Sequence, residues 1–206
     1  MGLLGLLGRG FGFVATPETP PAPTSALYSL TSDFRTGGTQ AEILRQVVAR
    51  LREKIAEFTE STCFVSDQEI PVSWPSGSIC CTVSTGPAQY PPEFFTGGGR
   101  NQITKDSTLK VAVYVRSKLD HSPHTEAAIV GADKGIVSRF EPLILKTLLC
   151  DERDGLPVPW EPCNKDGSKI LRNQLSPSGS TPPTPVPQGD FLGMTISFDL
   201  TFDWLL

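Results

Sequence analysis

The sequence predicts an α+β protein: an antiparallel β-sheet packed on one face by two main α-helices, with a long extended N-terminal arm and proline-rich loops. Three observations predict this class. Segments of alternating apolar and polar residues indicate strands with one buried face, and two longer segments carry apolar residues at helical spacing. Several connections between the strands are too short for the crossovers that parallel pairing needs, so the sheet must be largely antiparallel.

The clearest strand is the last segment, Phe191–Trp204. Every second residue from Leu192 onward is apolar, and the residues between them are small or polar. Because successive side chains of a strand point to opposite faces, this segment has one buried and one solvated face. Its apolar residues are Leu192, Met194, Ile196, Phe198, Leu200, Phe202 and Trp204.

The first helix is predicted over Thr39–Phe58. Thr39 and Glu42 have the spacing of a capping box, in which two backbone amides at the helix start find side-chain acceptors. A single apolar face follows, with charged residues around the rest of the helix. This face contains Leu44, Val48, Leu51, Ile55 and Phe58, and Ile43 and Val47 widen it.

Two further strand patterns form a hairpin, Ile70–Trp74 and Ile79–Val83, joined by a Pro-Ser-Gly turn. A long loop or hairpin tip is predicted over residues 85–107, followed by a strand at Leu109–Arg116. A short strand at Ile170–Leu175 would pair with the final strand.

Ser122, Pro123 and Glu126 signal the start of a second helix that runs to about Cys150. Pro142 must kink or split this helix, because its ring removes a backbone hydrogen bond and crowds the preceding turn. Residues 151–190 are rich in proline and are predicted to be mostly loop. We therefore divide the chain into an extended arm or linker, residues 1–38, and a single α+β domain, residues 39–206.

Composition narrows the class of function. The 206 residues carry a formal net charge of −4 without a basic cluster, which argues against a dedicated nucleic-acid binder. No segment is long and apolar enough to predict a membrane span. The five cysteines, at positions 63, 80, 81, 150 and 163, form no zinc-type pattern. We expect them to be reduced and buried, with Cys80 and Cys81 on opposite faces of a strand.

No pattern in the sequence predicts catalysis, a cofactor or a metal, so we expect a protein that is not an enzyme. His121 and His124 could converge on a metal at a helix entrance, but a polar loop is the simpler interpretation. The Gly97–Arg100 segment leads into a strand, whereas a phosphate loop precedes a helix. Asp199 and Asp203 could form a carboxylate pair, although solvated acids are commoner on strands.

The order of these elements resembles that of the tail terminator, or tail completion, proteins of tailed bacteriophages, which belong to the head–tail connector. The resemblance covers roughly residues 39–206. It rests on the helix Thr39–Phe58, the strand Leu109–Arg116, the helix Thr125–Leu149 and the strand Phe191–Trp204. The apolar N-terminal arm and the proline-rich loop at 176–190 depart from the family pattern.

This resemblance implies a virion structural protein of the tail or neck, assembled in the host cytoplasm. It implies a homo-oligomeric ring, usually a hexamer, that caps the tail tube and contacts the tail tube protein and neck or connector proteins. DNA would pass through the ring without sequence-specific binding, and no membrane would be involved. The residues we expect at subunit interfaces are Leu3, Leu4, Leu6, Leu7, Phe11, Phe13, Phe94, Phe95, Arg100 and Trp204.

Three alternatives stay open. The chain could be another phage neck or connector protein. It could be a cytosolic module that binds a small ligand or peptide through the loops at 85–107 and 151–190. It could also be a hydrolase that uses His121 and His124.

Overall fold

In the computed structural model, the described residues are 38–66, 78–89, 102–117, 123–132, 135–153, 155–164, 167–186 and 190–205. The residues from 38 onward belong to one compact unit. Its helical segments are α1 (Gly38–Lys54), α2 (Pro123–Val130), a π-helical turn (Ile136–Phe140) and α3 (Glu141–Leu149). Its strands are β1 (Cys63–Val65), β2 (Ile79–Thr85), β3 (Gln102–Arg116), β4 (Asp151–Arg153), β5 (Leu156–Val158), β6 (Ser176–Ser180), β7 (Thr184–Pro185) and β8 (Phe191–Leu205).

The main sheet has the strand order β1-β2-β3-β8-β6, and β7 also pairs with β8. All of these pairs are antiparallel except β1 with β2, which is parallel. β4 and β5 form a separate two-stranded hairpin. The predicted α+β class is therefore confirmed, and the last strand of the chain lies in the interior of the sheet.

Apolar residues lie directly opposite one another across β2, β3 and β8, which explains the strict alternation in the sequence. They form a continuous core with the apolar sides of the helices, so this side of the sheet is the helix-covered face. The three rows are Ile79, Val115 and Leu192; Cys81, Val113 and Met194; and Val83, Val111 and Ile196.

α1 has the buried face that its sequence predicts, but it begins and ends at residues other than the predicted ones. Ile43, Val47 and Leu51 are fully buried, whereas Leu44 is half-buried. The helix begins at Gly38, so Thr39 lies in its first turn, and the Glu42 carboxylate accepts hydrogen bonds from Arg45 and Gln46. The predicted capping box and the predicted end at Phe58 were therefore wrong, since the helix ends at Lys54. Ile55 and Phe58 follow it in a turn and are still buried.

The predicted second helix is divided into α2, the π-helical turn and α3. The division precedes Pro142, which is exposed and lies in the first turn of α3. The amide of Phe140 donates to the Gly135 carbonyl, and that of Glu141 donates to the Ile136 carbonyl, so the helix widens just before the proline. This wider turn accommodates a residue that lacks an N–H donor.

Three expectations about strands and loops need correction. β3 begins at Gln102, so residues 102–107 are strand and not loop. The proline-rich segment contains β6 and β7, which pair with β8, whereas Ile170–Leu175 contributes only an isolated bridge from Leu171 to Phe202. In the predicted hairpin, the second strand is β2, and residues 70–74 lie outside the described part of the chain.

A second, smaller apolar cluster lies on the opposite, outer face of the sheet. It contains Cys80, Ala112, Tyr114, Val186 and Phe191. Cys80 and Cys81 therefore occupy opposite faces, as predicted, and all five cysteines are free thiols. The prediction that every cysteine is buried was wrong for Cys150, which is exposed, and for Cys163, which is half-buried.

Candidate functional site

A polar cleft of about 510 Å³ lies where β3 and β8 continue beyond β2. Its floor includes residues of both strands, and its walls come from residues 87–89 and 173–176. The lining residues are Pro87, Gln89, Asp106, Ser107, Thr108, Asn173, Gln174, Ser176, Asp199, Leu200 and Thr201. We refer to this feature as the polar cleft.

The strand register determines which side chains form the floor. Asp106 is opposite Thr201, and Thr108 is opposite Asp199. These positions alternate with core residues such as Leu109 and belong to the outer face of the sheet. The polar residues on the outer side of β3 and β8 therefore form the floor of the cleft.

Backbone hydrogen bonds hold one wall against β3. The amide of Gln89 donates to the Asp106 carbonyl at 2.7 Å, and the Asp106 amide donates back at 3.0 Å. The Gly86 amide donates to the Thr108 carbonyl at 2.7 Å. These bonds hold the backbone of Gly86 and Gln89 beside Thr108 and Asp106.

The opposite wall is held against β8. The amide of Arg172 donates to the Thr201 carbonyl at 2.9 Å, and Ser176 pairs with Asp199. Between these two points Leu175 is buried in the core, while Asn173 and Gln174 are exposed. The buried leucine anchors the segment, and the two exposed amides form the rim.

Asp106 and Asp199 supply the formal charge of the polar cleft. They are diagonal neighbours on antiparallel strands, a relation that separates Cα atoms by roughly 7–8 Å. Asp106 is half-exposed and Asp199 is exposed. The hydroxyls and amides that line the cleft can donate and accept hydrogen bonds, and the two carboxylates can accept them and attract cations.

The pairing of Asp106 with Asp199 was not predicted from the sequence. Asp106 falls in the predicted loop, and the acid predicted beside Asp199 is Asp203, on the same strand. The Asp203 side chain lies outside the described part of the structure, and the described acidic neighbour of Asp199 is Asp106. Extending the alternation of β3 upstream of Leu109 would have placed Asp106 on the outer face, but only strand pairing brings it beside Asp199.

The structure describes few of the predicted interface residues. Trp204 lies in β8 opposite Ile103, although its side chain is outside the described part. Of the two histidines, His124 lies in α2, again without a described side chain, and His121 is outside the described residues. The remaining predicted interface positions, Leu3, Leu4, Leu6, Leu7, Phe11, Phe13, Phe94, Phe95 and Arg100, lie outside them as well.

Within the described residues, no three His, Cys, Asp or Glu side chains are grouped so that they could hold a metal ion. None of the described helices combines the length and apolar character needed to cross a membrane. No protein-family model and no curated protein matches this chain.

Proposed function

We propose that this chain is a virion structural protein, a tail-terminator-like subunit of a homo-oligomeric ring that caps the tail tube and joins it to the neck. The observation that carries the proposal is the ribbon formed by β3 and β8. Each strand has 15 residues, and the two are paired along their whole length. At about 3.3 Å per residue, this ribbon is roughly 50 Å long.

The ribbon extends past β2 and β6, and beyond those strands two isolated bridges continue the pairing, Gln89 with Asp106 and Leu171 with Phe202. The last pair between β2 and β3 is Thr85 with Leu109, so Gln102–Thr108 lie beyond β2. On the other side, β6 pairs with β8 only between Ile196 and Asp199. The pairs beyond these described neighbours are Gln102–Thr104 with Asp203–Leu205, and this end of the ribbon is suited to contacts between subunits of a ring, since strand edges can add to neighbouring sheets.

The proposal is tested by measuring the mass of the protein in solution. Light scattering across a concentration series, with and without the tail tube protein, should reveal a discrete closed oligomer, and electron microscopy should show rings. Replacing Trp204 with alanine at the far end of the ribbon should lower the oligomer fraction. Leu156→Ala is the matched control, because Leu156 is 66% exposed on the β4–β5 hairpin.

A chain that remains monomeric at every concentration, with tube protein present, would contradict the proposal. Equal loss of oligomer in both variants would contradict the assignment of the ribbon end to the subunit interface. Circular dichroism melts would show that each variant is folded.

The polar cleft favours a second candidate, a module that binds a ligand or peptide without catalysis. A chain that stays monomeric and binds a partner through the cleft would favour this candidate over the ring subunit. Metal analysis of the purified protein tests the remaining alternative, a hydrolase based on His121 and His124.

A further inference from the structure

The polar cleft has an imbalance of charge. Its lining contains two carboxylates, Asp106 and Asp199, together with three side-chain amides and four hydroxyl groups. The lining contains no lysine, arginine or histidine. The site therefore presents acceptor oxygens and negative charge without a basic residue among the groups that form it.

The two carboxylates differ from the acids of the protein that form ion pairs. Glu161 pairs with Lys169, Asp151 with Arg50, and Glu57 with Arg139. Neither Asp106 nor Asp199 forms an ion pair with any described residue. Lys110, which is outside the lining, is the other diagonal neighbour of Asp199 and lies on the side away from Asp106. A cation entering the cleft would thus meet two carboxylates that form no ion pair with a described residue.

The separation of the two acids selects the type of cation. Carboxylates on diagonal strand neighbours can each accept from a different edge of one planar guanidinium. An ammonium group acts as a point charge with three donors and matches this arrangement less well. Protein sites for Mg²⁺ or Ca²⁺ gather several oxygen ligands, and among the described residues no three His, Cys, Asp or Glu side chains are grouped so that they could hold a metal ion.

The remaining lining groups fit the same ligand. The side-chain oxygens of Gln89, Asn173 and Gln174 can accept hydrogen bonds from the guanidinium N–H groups that do not contact the carboxylates. They can also accept from the backbone amides of the residues that flank the arginine. Phosphate groups would be repelled by the two acids. The absence of aromatic lining residues also disfavours stacking of bases or sugars.

We propose that the polar cleft is a docking site for an arginine-bearing segment of a partner protein, in which Asp106 and Asp199 accept hydrogen bonds from the guanidinium. Charge complementarity favours a basic partner over a second copy, because this chain itself carries a net charge of −4. The inference concerns the cleft alone and does not depend on ring formation.

The test measures binding of a fluorescein-labelled Gly-Arg-Gly-Arg-Gly peptide to the full chain by fluorescence anisotropy. The double variant Asp106→Asn/Asp199→Asn retains side-chain shape and removes both charges. We expect it to weaken binding at least about tenfold. The matched control, Glu126→Gln/Glu152→Gln, removes two exposed acids on α2 and β4, outside the cleft, and should change binding less than about twofold.

A lysine version of the peptide should bind more weakly than the arginine version, because the planar guanidinium donates from two edges whereas the ammonium is a point charge. Equal weakening by the cleft and control variants would show general charge attraction and would overturn the proposal. Peptide displacement by millimolar CaCl₂ at constant ionic strength, without an equal effect of MgCl₂ or NaCl, would indicate a metal site and would also overturn it.

Light scattering on the same variants identifies the occupant. If Asp106→Asn/Asp199→Asn changes the oligomeric mass while the control does not, the cleft contacts a second copy and the proposal of a different partner is wrong. If the mass is unchanged and peptide binding is lost, the proposal is supported whether the chain is monomeric or forms a ring.

Discussion

At the scale of single residues, Gly193 shows how the outer face of the sheet is packed. It lies opposite Tyr114 in the register of β3 and β8, and both residues are buried. A Cβ atom at Gly193 would lie 2.8 Å from the Tyr114 ring and 3.2 Å from Val186. The phenol ring therefore covers the space that a side chain would need, so glycine is required by packing.

Replacing Gly193 with alanine should lower the free energy of unfolding by about 1–3 kcal/mol, because the ring must shift within a packed cluster. Urea denaturation at neutral pH measures the change. Gly86→Ala is the matched control, since its Cβ would find its nearest neighbour at 3.4 Å, an ordinary contact. Equal stability of wild type and Gly193→Ala would refute this account of the cluster.

At the scale of elements, Arg50 joins α1 to the end of α3. Its guanidinium donates to the backbone carbonyl of Cys150 at 3.2 Å and to the Asp151 carboxylate at 2.8 Å, and it lies 5.8 Å from the centre of the Trp160 ring. The last carbonyls of a helix have no partner within it, and its C-terminus attracts positive charge. Arg50 therefore caps α3 from a neighbouring helix.

This contact should make stability depend on pH. The hydrogen bond from Arg50, with a smaller contribution from the Glu152 amide, lowers the pKa of Asp151 below its ordinary value of 3.8. A carboxyl whose folded pKa is depressed stabilises the fold above its unfolded pKa, and this contribution disappears as pH falls through the folded pKa. Asp151→Asn should therefore be less stable than wild type at pH 7, and this difference in stability should disappear in acid.

Thermal melts of both proteins between pH 7 and pH 2 would measure that gap. Glu152→Gln removes the adjacent exposed acid and serves as the control for net charge. A gap between wild type and Asp151→Asn that is independent of pH would rule out the ion pair as its cause.

At the scale of the whole molecule, the thiols report on whether the sheet unfolds as one unit. Cys63, Cys80 and Cys81 are fully buried on β1 and β2, whereas Cys150 is exposed. Burial raises the pKa of Cys80 to about 12, so at neutral pH it is held as the unreactive thiol. Only opening of the sheet would expose these three groups.

In the native protein, a maleimide should label Cys150 first, and the three buried thiols at least about a hundredfold more slowly. With increasing urea, labelling of the buried thiols should follow the same transition as circular dichroism, as cooperative unfolding requires. Mass spectrometry identifies the sites, and Cys150→Ser should remove the fast reaction. Rapid native labelling of Cys81 would show that β2 opens separately.

Local periodicity predicted much of the fold. The alternation in Phe191–Trp204 and Leu109–Arg116 and the helical spacing after Thr39 gave the three longest elements, because each of these segments buries one face and solvates the other. The polar strand β6 could not be predicted this way. All five of its residues are exposed, and it is a strand because it pairs with β8.

The sequence by itself determined the α+β class, the face of each main element that enters the core and the opposite orientations of Cys80 and Cys81. These properties follow from the order of apolar and polar residues along a single segment. Only the tertiary structure decided the parallel pairing of β1 with β2, the central position of β8 and the meeting of Asp106 with Asp199. Those features join residues far apart in the chain, and register and packing between strands set them without leaving a local signal in the sequence.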